Sequence, residues 1–314
     1  MPRRSIVLAV ASVAAVLACV LPAVGASSAT AGAAVSRTVA TQYYLALGDS
    51  LAAGDQPDHT GANVSTVQGY VNQLDAMLAA RGHALTLRNL GCASETTWTL
   101  IHGTICRYPG EPGMGAQLRA ALDFLHAHAG HVPLITIDIG GNDLDSCYTI
   151  TSATKAGTCV KSLVAGMNSR LTAILKALRA ADPTAVIVGL NYYVPELASW
   201  LSGAAGRSLA TAQLTVTELL NAALAADYKP AKALTANVFG KFKSSDMSDK
   251  ATLPGHGSVP VSVALVCEWT WMCAAPPKGG NAHANKKGYG HIAATIYAVL
   301  PARIAASLRF SPAR

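Results

Sequence analysis

No glycine-rich phosphate loop and no dinucleotide fingerprint occurs in the 314 residues, so nucleotide hydrolysis and nicotinamide-dependent hydride transfer are not indicated. Beyond residue 24 no run is apolar enough to span a bilayer. Aromatic residues make up 6% of the chain and are not interleaved with the scattered Lys and Arg residues, which argues against a nucleic-acid platform. None of the cysteines stands in C-x-x-C spacing, so a zinc cluster is not expected, and no metal or organic cofactor is called for. A Gly-x-Ser-x-Gly elbow is missing after the leader, which argues against the α/β-hydrolase form of serine chemistry.

With 51% hydrophobic residues, the chain can bury one full core. Arg3 and Arg4 precede an apolar run from Ile6 to Val24 that ends in small residues, the pattern of an export signal over residues 1–31. Cleavage after Ala26 or Ala31 fits the small-x-small rule. Lipid attachment at Cys19 ranks below free secretion because Val16-Leu17-Ala18-Cys19 is a poor lipobox. Residues 32–41, rich in Ala, Ser, Thr and Gly, are expected to be a mobile spacer, and residues 42–314 to form the domain. The formal charge of +7 falls to +5 once the two leader arginines leave, with 22 basic residues facing 17 acidic ones. That balance favours solubility and contact with a membrane surface or lipid aggregate, without naming a partner.

Of seven cysteines, six remain after the leader. They fall into three local couples, Cys92 with Cys106, Cys147 with Cys159, and Cys267 with Cys273, and in an exported chain these read as disulfides.

Short apolar runs alternate with segments of helical period, the pattern of an α/β domain with a parallel sheet. Strands are expected at Tyr43 to Leu47, Leu85 to Leu90, Leu134 to Ile139 and Ala185 to Leu190, with a fifth either near Ala236 to Phe239 or in Val259 to Leu265. One helix face carries Val67, Val71, Leu74 and Leu78, and another Met114, Leu118, Leu122 and Leu125. A third runs from Leu163 to Leu178 and ends at Asp182-Pro183. The last helix spans roughly Lys286 to Leu308, with a kink or early end at Pro301.

In open α/β sheets the ligand crevice lies beyond the carboxyl ends of the strands. After the first strand stands Gly48-Asp49-Ser50-Leu51, after the second Gly91-Cys92-Ala93-Ser94-Glu95, and after the third Gly140-Gly141-Asn142-Asp143. A serine hydroxyl is a weak nucleophile that needs a base within reach and donors for the oxyanion it creates. Ser50 supplies the hydroxyl, Asn142 an amide donor, and His283, just before the final helix, the imidazole.

These blocks, together with His283-Ala284-Asn285 followed by Gly288-Tyr289, resemble the SGNH (GDSL) hydrolase family, and are similar to its secreted, actinobacterial-type esterases and lipases with a Ser-His dyad. The resemblance covers most of residues 42 to 300. It implies a flavodoxin-like three-layer α/β/α sandwich whose central parallel sheet has about five strands in the order 2-1-3-4-5. It also implies ester hydrolysis through an acyl-enzyme on Ser50, with His283 as base and the Ser50 amide, Ser94 and Asn142 forming the oxyanion hole. Two positions depart from the family pattern. Ser94 stands where a glycine is usual, with Gly91 as the fallback. Gly280 stands where an aspartate is usual, so the backbone carbonyl of Gly280 or Asn281 is expected to orient the imidazole.

Other residues invite plainer readings. Asp49 and Asp143 are expected to hold loops by hydrogen bonds. His126, His128 and His131 read as surface histidines at a helix end, and His291 as packing or surface. Trp269 and Trp271 either brace the Cys267 to Cys273 loop or line an acyl pocket. The expected protein is a secreted, monomeric carboxylester hydrolase acting on small-molecule or lipid esters. The alternatives are a carbohydrate O-deacetylase and a binding protein that has kept the fold without catalysis.

Overall fold

Five short segments, the three central ones buried along almost their whole length, pair side by side in a computed structural model that describes residues 40–108, 113–302 and 304. They are β1 (Tyr43–Gly48), β2 (Thr86–Asn89), β3 (Leu134–Asp138), β4 (Val186–Leu190) and β5 (Leu234–Ala236). All four pairings are parallel and the order is β2-β1-β3-β4-β5, as the family resemblance implied. The leader, Cys19 and the spacer up to residue 39 lie outside the described residues.

Residues alternate between two cores. Tyr44, Ala46, Leu134, Val186 and Val188 point to the side covered by α2 (Tyr70–Ala79), α8 (Val261–Trp269) and α9 (Lys286–Val299). Leu45, Leu47, Ile135, Ile137 and Ile187 point to the side covered by α4 (Gln117–Ala127), α5 (Ala153–Ala181) and α6 (Gly203–Tyr228). Helices on both faces explain why the three inner strands, β1, β3 and β4, are largely apolar.

Local chemistry sets the helix ends. Ser152 caps α5 by accepting from the Lys155 N–H, and the helix stops before Pro183, where Asp182 Oδ1 accepts from the N–H groups of Thr184 and Ala185. Asn285 caps α9 by accepting from the Lys287 and Gly288 N–H groups. The last helix ends at Val299, before Pro301, and residues 303 and 305–308 of the expected span lie outside the described residues.

Several expectations change. The fifth strand begins at Leu234 and ends at Ala236, while Val238–Lys241 turns into a short helix, α7. Most of Val259 to Leu265 is helical, as α8, with only its first residues in a hairpin between Lys250–Leu253 and Gly257–Pro260. Val67 and Met114 precede α2 and α4 and are exposed. The long helix α6 occupies a stretch without a clear apolar stripe: its buried side includes Gly206, Ala210, Gln213 and Thr217, so small and polar residues interrupt the apolar period.

The disulfides are Cys92 to Cys106, Cys147 to Cys159, and Cys267 to Cys273. Among the described residues no helix is long and apolar enough to cross a membrane.

Candidate active site

The register of the sheet brings the motif loops together. Gly48 stands opposite Asp138 across β1 and β3, and Ala46 opposite Asn89 across β1 and β2, so the segments after all three strands leave from one edge. Gly48 has a φ of +142°, and a Cβ there would lie 2.4 Å from the Asp138 carbonyl oxygen, so no side chain fits.

Ser50 is the first residue of the four-residue helix α1 (Ser50–Ala53). Asp49 holds the turn: its Oδ1 accepts from the Leu51 N–H at 2.9 Å and its Oδ2 from the Tyr192 hydroxyl at 2.7 Å. Asp138, at the end of β3, accepts from the Asp49 and Ala52 N–H groups, both at 3.3 Å, and from the Tyr70 hydroxyl. Burial and the neighbouring Asp49 charge hold the Asp138 carboxyl well above the ordinary range. The Asp49 carboxyl is itself pushed up by burial, against the hydrogen bonds it accepts. From the other side, the Gln117 side chain accepts from the Gly48 N–H at 2.7 Å and donates to the Gly48 carbonyl at 3.0 Å. Asp138, Tyr192 and Gln117 were not singled out in the sequence, because each lies outside the motif blocks and acts only through the fold.

The second and third blocks are tied to each other. Asp143 accepts from the Thr97 N–H at 2.8 Å and forms an ion pair with Arg170 at 3.0 Å. Asn142 Nδ2 donates to the Glu95 carbonyl at 2.8 Å. Ser94 adopts φ of +64°, the left-handed conformation that glycine takes without strain. Gly91 serves a different need: a Cβ there would lie 2.5 Å from the Ala53 N, so it allows the loop to pack on α1. Ser94 lines the cavity between the loops, and Gly91 is not among the lining residues.

His283 sits on the short strand Asn281–Ala284, which pairs with Thr270–Trp271. Its ring Nδ1 lies 2.9 Å from Asn281 Oδ1, and its backbone N–H donates to the same oxygen at 3.0 Å. The expected acceptor was a backbone carbonyl of Gly280 or Asn281; the structure places the Asn281 side-chain oxygen there instead. Gly280 adopts φ of +74°, a turn just before the short strand. Because a backbone N–H only donates, the Asn281 atom facing it is the oxygen, and Nδ1 must therefore carry the ring proton. Nε2 is left with a lone pair. The Asn281 Nδ2 is fixed in turn by donating to Asn63 Oδ1 at 2.6 Å. Burial lowers the His283 pKa from its usual 6.5, against the opposing pull of Asp55 and Asp49.

Ser50, Ser94, Asn142 and His283 line one cavity of about 430 Å³, with Asp49, Gly141 and Tyr192 also in its wall. Trp269 and Trp271 are not in that wall. Trp269 packs on Phe242 and His291, with ring centroids 5.1 and 3.9 Å away, and the Trp271 Nε1 donates to Gln56 Oε1 at 3.3 Å, so both brace their loop. His128 ends α4 and His131 pairs with Gln42. Among the described residues no group of His, Cys, Asp and Glu has the arrangement of a metal site.

Residues 46–290 match the GDSL-like Lipase/Acylhydrolase family. No curated protein matches the sequence. Among solved structures, phospholipase A1 from Streptomyces albidoflavus NA297 is similar at 18% identity and a TM-score of 0.52, over 82% of this chain and 99% of that one. An extracellular lipase from Streptomyces rimosus is similar at 18% identity and a TM-score of 0.52, over 82% of this chain and 100% of that one. At such identities these two likenesses bear on the fold.

Proposed function

Since the chain belongs to the GDSL-like lipase/acylhydrolase family, we propose that it is a secreted carboxylester hydrolase that works through an acyl-enzyme on Ser50. The observation that carries this reading is that Ser50, Ser94, Asn142 and His283, drawn from four separate segments of the chain, line the same cavity.

The lone pair on His283 Nε2 takes the Ser50 proton as Oγ attacks the ester carbonyl. The imidazolium then returns the proton to the departing alcohol oxygen. Water, deprotonated by the same nitrogen, releases the acid and restores the serine. The lowered His283 pKa keeps the ring neutral, and so competent as a base, at neutral pH.

The oxyanion forms beside three donors: the Ser50 N–H, the Ser94 N–H and the Asn142 amide. One Asn142 N–H is spent on the Glu95 carbonyl, which aims the side chain and leaves the other N–H for substrate. A preorganised donor of this kind contributes roughly 10²–10³-fold in rate.

The case for a fold that has lost catalysis began with the absent aspartate and the replaced glycine. Asn281 Oδ1 now stands in for the first and the left-handed Ser94 for the second. Three disulfides fit an oxidising destination, which agrees with the export signal read at the N-terminus. A lipid substrate loses its main motive, because the two tryptophans do not line the cavity.

Ser50→Ala should lower hydrolysis of a chromogenic acetyl ester by at least about 10³-fold with the thermal melt unchanged. Turnover retained by that variant would take Ser50 out of the mechanism.

A further inference from the structure

Acyl transfer leaves part of the cavity wall without a task. Asp145, Tyr148, Tyr193 and Glu196 line it together with Asp49 and Asp55, and no Lys or Arg does, although the whole chain carries 24 basic against 17 acidic residues. Glu196 lies at the start of the 3-10 turn Pro195–Ser202. Its Oε2 is buried and has no hydrogen-bond partner among the described residues. Asp145, Tyr148, Tyr193 and Glu196 thus border the same cavity, on a wall that carries no Lys or Arg side chain to balance the two carboxyls.

Burial pushes the Glu196 carboxyl up to about 7, so its charged form calls for a counter-charge, and no Lys or Arg of the wall supplies one. The surroundings indicate which ligand would complete it. Carboxylates lining a cavity without a Lys or Arg neighbour attract an ammonium group through charge, and tyrosine rings in the same wall tolerate its methyl groups. The same carboxylates repel an anionic substrate. A neutral hydroxyl would bring no counter-charge to either Glu196 or Asp145.

The position of the patch assigns it to one half of the ester. The Tyr193 hydroxyl donates to the Ala282 carbonyl at 2.7 Å, which fastens the segment from Tyr193 to Glu196 against the residue preceding His283. His283 is the group that hands a proton to the departing alcohol. The alcohol therefore lies on the side where Tyr193 and Glu196 stand.

We infer that Glu196, Asp145, Tyr148 and Tyr193 form a subsite for a cationic group on the alcohol half of the ester, so that the preferred substrates are acyl esters of amino alcohols such as choline. This assignment rests on the acyl-transfer reading of Ser50 and His283.

The test compares kcat/KM for acetylcholine with that for its uncharged isostere 3,3-dimethylbutyl acetate. The ratio should be about 10 or more in the wild-type protein, the equivalent of roughly 1.4 kcal/mol. It should fall at least about fivefold in Glu196→Gln and in Asp145→Asn. Because the ratio is taken within one protein, general damage to turnover cancels. In parallel, calorimetric titration of choline into the Ser50→Ala protein should show binding that weakens when Glu196→Gln is added. A ratio near one, with no choline binding, would overturn the subsite even while the neutral ester is hydrolysed. Choline binding that depends on Glu196, without hydrolysis of either ester, would uphold the subsite and overturn the esterase reading instead.

Discussion

Asn281 makes three hydrogen bonds at once, and together they decide which nitrogen of His283 carries the proton. Its oxygen accepts from the His283 N–H and from ring Nδ1, while its amide nitrogen donates to Asn63. A neutral amide orients the imidazole as a carboxylate would, but it supplies no charge to stabilise the protonated ring. Replacing it should separate the two effects. Asn281→Leu leaves the ring N–H without a partner and should lower kcat/KM by about 10- to 100-fold, the cost of one unsatisfied buried donor. Asn281→Asp keeps an acceptor and adds a negative charge beside the ring, which favours the imidazolium. The base works deprotonated, so activity is lost as pH falls through the His283 pKa, and in the wild type that limb of the kcat/KM profile should lie below 6.5. Asn281→Asp should move the limb upward by about one pH unit. A limb that does not move would mean that Asn281 does not act on the ring. The sequence led to this position through the missing aspartate at Gly280, yet favoured a main-chain oxygen, because which atom of Asn281 reaches the ring depends on the turn at Gly280 and on Asn63, far away in the chain.

At the scale of elements, the loop after β2 shows how a non-glycine residue can occupy a glycine position. Ser94 holds a left-handed φ of +64°, and strain of that kind costs on the order of 1–3 kcal/mol. The surroundings offset it: the Asn142 side chain is tethered to the Glu95 carbonyl, and Thr96 and Thr99 form a capping box that starts α3 (Thr97–His102). Ser94→Gly should keep kcat within about threefold, because only the backbone N–H is used. Ser94→Val, β-branched at positive φ, should lower kcat by roughly tenfold or more as the loop relaxes. Equal activity in both variants, measured on the same acetyl ester, would remove the Ser94 N–H from the oxyanion hole. Strands β1, β3 and β4 were legible because burial on both faces makes them largely apolar, whereas the edge strand β2, Thr-Leu-Arg-Asn, was legible only together with its flanking leucines. α6 was not, since Gly206, Ala210, Gln213 and Thr217 on its buried side break the apolar stripe. In α8 the β-branched residues Val261, Val263 and Val266 read equally well as strand, and only the packing of the helix against α9 and the 3-10 turn decides the matter.

Over the whole molecule, the β2-β1-β3-β4-β5 order explains why blocks from distant parts of the chain meet. β1 lies inside the sheet with β2 and β3 as its neighbours, so the segments carrying Ser50, Ser94 and Asn142 leave from adjacent strand ends. His283 arrives separately, on a hairpin strand just before α9, where the Tyr193 hydroxyl holds the Ala282 carbonyl. Motif order made this convergence readable in advance. The buried polar frame of Asp138, Tyr70, Tyr192 and Gln117 was not readable, because its members carry no motif and meet only once the sheet has formed. The most direct measurement is reaction of the folded protein with a fluorophosphonate, followed by mass-spectrometric mapping of the modified residue. One equivalent of label on Ser50, lost in His283→Ala, is the predicted result; a folded protein that takes no label, or takes it on another residue, would contradict it.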